Sequence, residues 1–197
     1  MLLYDNRLSG NCYKVRLLFA LLSIAYEREE LDVFDRSNRP GVIGDLNPAL
    51  RVPTLVLDDG RALAESGAIL HHFAQGTEYL PVDDYERAQV LQWMFFEQYD
   101  IEPNIAMVRF WALGDMAVSD VLREPKLQAG HRALTALQRH LGRHQFLVGE
   151  RYSIADIAVF GYVHVADQGG FSLEPYPAVR AWLTRVAAHP GHITIED

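Results

Sequence analysis

The feature that most limits the fold of this chain is a change of rhythm near residue 76. Before it, short apolar runs alternate with helix-period segments; after it, helical spacing continues and no strand candidate appears. In the first half, Leu2-Leu3-Tyr4, Tyr26 to Val33, Val52 to Leu57 and Ala62-Leu63 read as strands, the last two joined by a turn at Asp58-Asp59-Gly60. A helix is predicted from about Cys12 to Ile24, with Val15, Leu18, Phe19 and Leu22 on one face. Another is predicted from Glu65-Ser66 to Ala74, burying Ile69, Leu70 and Phe73. Residues 36–48, rich in Arg, Asn, Pro and Gly, read as a loop with room for a short helix. This order suits a small mixed sheet with helices packed on it.

The break at residues 76–84 carries Gly76, Pro81 and two aspartates. Beyond it, Ala88, Leu91, Phe95 and Gln98 are predicted to form one helical face, with Pro103 kinking or interrupting it. Leu134, Leu137 and Leu141 mark a second helix, the run after Ser153 a third, and Pro177 to Ala188 the last. The expected fold class is an α/β amino-terminal domain over residues 1–76, a linker at 77–84 and an all-α helical bundle over 85–197.

Charge and cysteine content narrow the function. With 18 basic and 26 acidic residues the formal net charge is −8, which argues against nucleic acid and against docking on anionic membrane. Cys12 is the single cysteine, so neither an intrachain disulfide nor a dithiol centre can form. The apolar run from Leu17 to Ala25 is too short to span a bilayer, and no secretory signal is read at Met1, so a cytoplasmic protein is expected.

Three places can carry chemistry. Ser9-Gly10-Asn11-Cys12 lies at the start of the first helix, where free N–H groups favour an anion and a serine hydroxyl can donate to a thiolate. The same residues also suit a plain N-cap. Arg51-Val52-Pro53-Thr54 places a proline at a strand entrance, where a cis bond would turn the Val52 backbone outward as a ligand edge and a trans bond would simply open an edge strand. Glu65-Ser66-Gly67 begins the next helix and can bind a zwitterion, the helix end holding a carboxylate and Glu65 an ammonium group; capping is again the simpler use.

Taken together, Ser9 to Arg16, Asn47-Pro48, Val52-Pro53-Thr54-Leu55, Glu65-Ser66 and Ser153-Ile154-Ala155-Asp156 resemble the cytosolic glutathione S-transferases, most closely bacterial members of the serine type. The resemblance covers nearly the whole chain. It implies a thioredoxin-like first domain, a helical second domain, glutathione as co-substrate without a metal, a small hydrophobic electrophile and a homodimer. By the match, Ser9 hydrogen-bonds the glutathione sulfur and Asn11 assists it. Val52, before a cis Pro53, pairs its backbone with the cysteinyl part, and Glu65 and Ser66 hold the γ-glutamyl end. Arg39 falls near the glycyl carboxylate contact, and Asp100 near an acid that reaches the partner subunit's glutathione. Arg51 joins the glutathione contacts without a firm counterpart, and Leu50 replaces a small or polar residue common in the family. From the aromatic-rich stretch of residues 93–111, Glu102, Arg109 and Phe110 are the candidates for the electrophile. Disulfide or peroxide reduction with glutathione, and a binding module without turnover, are the alternatives.

The implied chemistry is of a reasonable size. A free thiol with a pKa near 8.5 is only about 3% ionised at pH 7, and lowering it by roughly two units needs about 2.7 kcal/mol. One charge-assisted hydrogen bond, about 1.5–3 kcal/mol, with about 0.3–1 kcal/mol from a helix end, can supply that. Cys12 is the competing nucleophile at the same helix start, and would shift the activity toward thiol transfer. His140 and His144 share metal-ligand spacing, but no third ligand is near in sequence and no metal is expected. Ser153 and Asp156 read as a helix capping box with a folding role only.

Overall fold

The computed structural model describes all residues from Met1 to Asp197 and divides them into two compact units, Met1–Gln75 with Pro190–Asp197, and Gly76–His189.

The first unit runs β1 (Leu2–Asp5), α1 (Gly10–Leu21), β2 (Glu27–Glu30), α2 (Arg39–Ile43), β3 (Thr54–Val56), β4 (Ala62–Ala64) and α3 (Ser66–Phe73). Its four strands lie in the order β2-β1-β3-β4, with β1 parallel to β2 and antiparallel to β3, and β3 antiparallel to β4. Leu3 pairs with Leu55 in register, and both join Val15, Phe19 and Ile69 in the core between sheet and helices. This is the thioredoxin-like arrangement expected. Strand β2 is shorter than the Tyr26–Val33 run suggested. All four of its residues are exposed, as suits a polar edge strand.

A buried ion-pair cluster reinforces this unit. Asp5 takes Arg16 Nη1 at 2.7 Å on one oxygen and Arg28 Nη2 at 2.7 Å on the other. Arg16 also donates to Ile195 O at 2.7 Å, Tyr13 Oη to Ile193 O at 2.8 Å and Arg28 to Asp197 O at 2.7 Å. These bonds hold the carboxyl-terminal tail on the first unit, so residues 190–197 leave the helical half in which the sequence placed them.

The second unit is helical: α4 (Asp84–Phe96), a π-helical stretch (Glu97–Ala106), α5 (Met107–Leu113), α6 (Asp120–Leu141), α7 (Ile154–Val163), a short 3-10 turn (Ala166–Gly169) and α8 (Pro177–Ala187). All ten residues of α7 are buried, which makes it the central helix. The helical path continues through Pro103 with widened π geometry rather than breaking, one way to accommodate a residue that cannot donate to the ladder. The helical face marked by Ala88, Leu91, Phe95 and Gln98 is the exposed one, and the buried line is Val90, Met94, Glu97, Ile101 and Ile105. A capping box opens α7, with Ser153 N donating to Asp156 Oδ2 at 3.0 Å and Ala155 N to Ser153 Oγ at 3.3 Å. No helix is long and apolar enough to cross a membrane.

Candidate functional site

The amino ends of α1 and α3 come together in the first unit. Ser9, in extended backbone after β1, caps α1 by accepting from Cys12 N at 3.2 Å. The residue is half-buried; its cap uses an oxygen lone pair, and its hydroxyl also lies beside the Cys12 sulfur, to which it can donate. Asn11 Oδ1 accepts from Ser66 Oγ of α3 at 3.3 Å and from Lys14 Nζ at 2.7 Å. Lys14 is buried, and a buried ammonium needs such a partner. Sequence reasoning missed this residue; the available signal was that only two of the chain's 18 basic residues are lysines.

Glu65 and Ser66 do not cap α3. Glu65 occupies the N-cap position at φ 67°, its side chain makes no cap hydrogen bond, and the Ser66 hydroxyl turns to Asn11. A left-handed φ on a residue with a side chain costs on the order of 1–3 kcal/mol. The result is an exposed carboxylate beside the free N–H groups of a helix end, a donor–acceptor pairing that fits a zwitterion.

The Val52–Pro53 bond is cis. Its flanks are tied by Asn47 and Thr54. Asn47 Nδ2 donates to Arg51 O at 3.0 Å and to Thr54 Oγ1 at 2.9 Å, and Thr54 Oγ1 donates to Arg51 O at 2.8 Å.

The two arginines of this region differ. Arg39 is buried, and its guanidinium donates to Leu50 O at 2.8 Å and Asp32 O at 2.7 Å, so it braces the loop between α2 and β3 instead of standing open to a carboxylate. That departs from the expectation for Arg39. Arg51 is exposed, and its guanidinium has no partner within the chain.

Cys12 is fully buried, and burial pushes its thiol well above the ordinary range, with the Asp5 carboxylate adding to the effect. The competing thiol nucleophile is thereby removed, because the thiolate is the reactive form.

The remaining candidates lie in the second unit. Arg109 is buried and donates to Gln168 Oε1 at 2.7 Å, a packing duty rather than the substrate contact expected. Phe110 and Glu102 are half-buried, Glu102 accepting from Gln98 Nε2 at 2.7 Å. Asp100 is half-buried, and its carboxylate has no partner in its own chain. His140 and His144 stack at 4.5 Å between ring centres, and no group of three or more His, Cys, Asp or Glu is placed to hold a metal.

Comparisons with known proteins point to one family. Residues 8–75 match the family model "Glutathione S-transferase, N-terminal domain" and residues 120–185 the model "Glutathione S-transferase, C-terminal domain". The chain is 30% identical over 189 residues to glutathione S-transferase 2 of Anopheles gambiae, covering 93% of this chain and 88% of that one. It is 28% identical to the disulfide-bond oxidoreductase YfcG of Escherichia coli, covering 92% and 87%. Elongation factor 1-gamma of Danio rerio is 33% identical over 82% of this chain, which spans only 37% of that longer protein. A glutathione S-transferase structure from Pseudomonas fluorescens superposes with a TM-score of 0.94 at 43% identity, covering 100% of this chain and 98% of the other. Fold, sequence and matched domains thus agree that the chain belongs to the glutathione S-transferase family.

Proposed function

We propose that this protein conjugates glutathione to small hydrophobic electrophiles, with Ser9 stabilising the thiolate. The observation that carries the reading is the joining of the α1 and α3 amino ends through Ser66 and Asn11, with Ser9 half-buried at the head of α1. Glutathione supplies the thiol, whose proton passes to solvent and whose sulfur forms a new bond to carbon as the electrophile's leaving group departs with its electron pair. Ser9 donates to the sulfur and favours its anionic form. Asn11, oriented by Lys14, supports that end of the site. Val52 offers its backbone to the cysteinyl part, and Glu65 with Ser66 holds the γ-glutamyl head. Arg51, rather than the enclosed Arg39, is the cation for the glycyl carboxylate. Glu102 and Phe110 serve the electrophile.

We also propose a homodimer. The outer face of α4 and the following turn exposes Tyr85, Leu91, Phe95 and Tyr99, with Phe95 68% and Tyr99 81% accessible. Asp100, next in the chain, then supplies an unpaired carboxylate for the partner's γ-glutamyl amine. Light scattering should give twice the 22.3 kDa chain mass, and Phe95→Glu should return the monomer.

The deciding experiment is calorimetric titration with glutathione, following the bound thiol by ultraviolet absorbance and its conjugation to 1-chloro-2,4-dinitrobenzene. A bound pKa roughly two units below 8.5 that rises again in Ser9→Ala, with binding kept, is the expected result. Binding without a pKa drop or turnover would leave a binding module, and no binding at millimolar glutathione would remove the reading. The relative named as a disulfide-bond oxidoreductase favours a second reading, glutathione-dependent disulfide reduction. Oxidised glutathione appearing with a disulfide substrate, in place of a thioether product, would select it.

A further inference from the structure

An open pocket of about 440 Å³ in the second unit lies between Trp93 of α4 and Ala136, Arg139 and His140 near the end of α6, with Arg143 and His144 just beyond. None of these residues belongs to the site above. One side is aromatic: the Trp93 and His140 rings are 4.7 Å apart, and His144 stacks on His140 at 4.5 Å. His140 Nε2 is engaged with Leu147 O at 3.1 Å, and His144 with the Glu150 carboxylate, which also accepts from Gln145 N. The other side is cationic and unneutralised. Arg139 and Arg143 stand four residues apart, no acid pairs with either guanidinium, and the half-buried Trp93 indole N–H has no acceptor in the chain. Basic residues at a helix carboxyl end complement its dipole, which accounts for the charge. It does not account for a ring-lined cavity with an unused indole donor.

We propose that this pocket is a second ligand site, separate from the glutathione site, for a planar aromatic carboxylate. The ring packs on Trp93 and His140, where a π-face offers area with little polar cost. The carboxylate lies between Arg139 and Arg143, whose planar forks match its geometry and whose mutual repulsion it relieves. The volume falls within the range of small-molecule pockets, roughly 300–1,000 Å³.

Calorimetry with 2-naphthoate and the neutral 2-naphthylmethanol tests this on the intact protein. One equivalent of 2-naphthoate is expected to bind, at least about tenfold more tightly than the alcohol, as charge-assisted hydrogen bonds require. The double substitution Arg139→Gln and Arg143→Gln, both at exposed positions, should remove that preference without changing the melting temperature appreciably. Trp93→Leu should weaken both ligands. Saturating glutathione should leave 2-naphthoate binding unchanged, so the result is independent of whether glutathione is a substrate. Equal binding of acid and alcohol, an unaffected double variant, displacement by glutathione, or no binding at millimolar ligand would each overturn the proposal.

Discussion

Ser9 and Ser153 hold the same position at the start of their helices, and they differ in what is left once the cap is made. Ser153 is fully buried: its oxygen accepts from Ala155 N, and it donates to Asp156 Oδ2 at 3.2 Å. Asp156 in turn accepts from Ser153 N, from Leu147 N at 3.0 Å and from Trp182 Nε1 at 2.9 Å. The circuit is closed, and no group remains to meet a ligand. Ser9 is half-buried, accepts within its cap and meets only the weakly accepting Cys12 sulfur with its hydrogen, so the hydroxyl can rotate toward a stronger acceptor. Capping and thiolate stabilisation use opposite ends of the same O–H group. An N-cap serine can therefore serve both, provided that its surroundings leave the hydrogen free.

That contrast can be broken at Asp156 first. Asp156→Asn should cost about 3 kcal/mol in urea unfolding, because buried donors lose a charged acceptor. Burial pushes the Asp156 carboxyl up to about 6 from 3.8, against the pull of its hydrogen-bond donors. The folded chain therefore takes up this proton at higher pH than the unfolded chain does. The group's contribution to stability is fully present below the unfolded value and is lost as pH rises through about 6. Wild type should accordingly gain on Asp156→Asn, by up to about 3 kcal/mol, as pH falls from 6 to 4.

The serines sharpen the comparison. Ser153→Ala should cost about 2 kcal/mol and Ser9→Ala about 1 kcal/mol or less, since one cap is enclosed and the other reaches solvent. Only Ser9→Ala should raise the pKa of bound glutathione. The smallest effect is expected from Lys14→Met, which frees Asn11. Conjugation kcat/KM should fall a few-fold, about 0.5–1 kcal/mol, while the Ser9-dependent pKa drop is kept. A loss equal to that of Ser9→Ala would make Lys14 the principal anion stabiliser.

Much of the molecule was legible because its signals are local. The strand–helix order, the serine at the head of α1 and the capping box at α7 depend on residues within a few positions of one another. The inner face of α4 was not. Its sequence carries two apolar lines, Ala88-Leu91-Phe95 and Val90-Met94-Ile101-Ile105, and the buried Glu97 obscures the second. Periodicity identifies a stripe but not the neighbour that covers it.

At the candidate site the same division holds. The sequence by itself determined that Ser9, Asn11, Glu65 and Ser66 begin helices of a small mixed-sheet unit, because helix starts and turns select residues over short range. Tertiary structure decided the rest. It joined Ser66 to Asn11 across 55 residues, buried Lys14 beside them, enclosed Arg39 while leaving Arg51 exposed, and sealed Cys12 away from solvent. It also held the tail on the first unit through Arg16, Tyr13 and Arg28. These outcomes depend on which groups lose water and which find distant partners, and chain packing alone settles that.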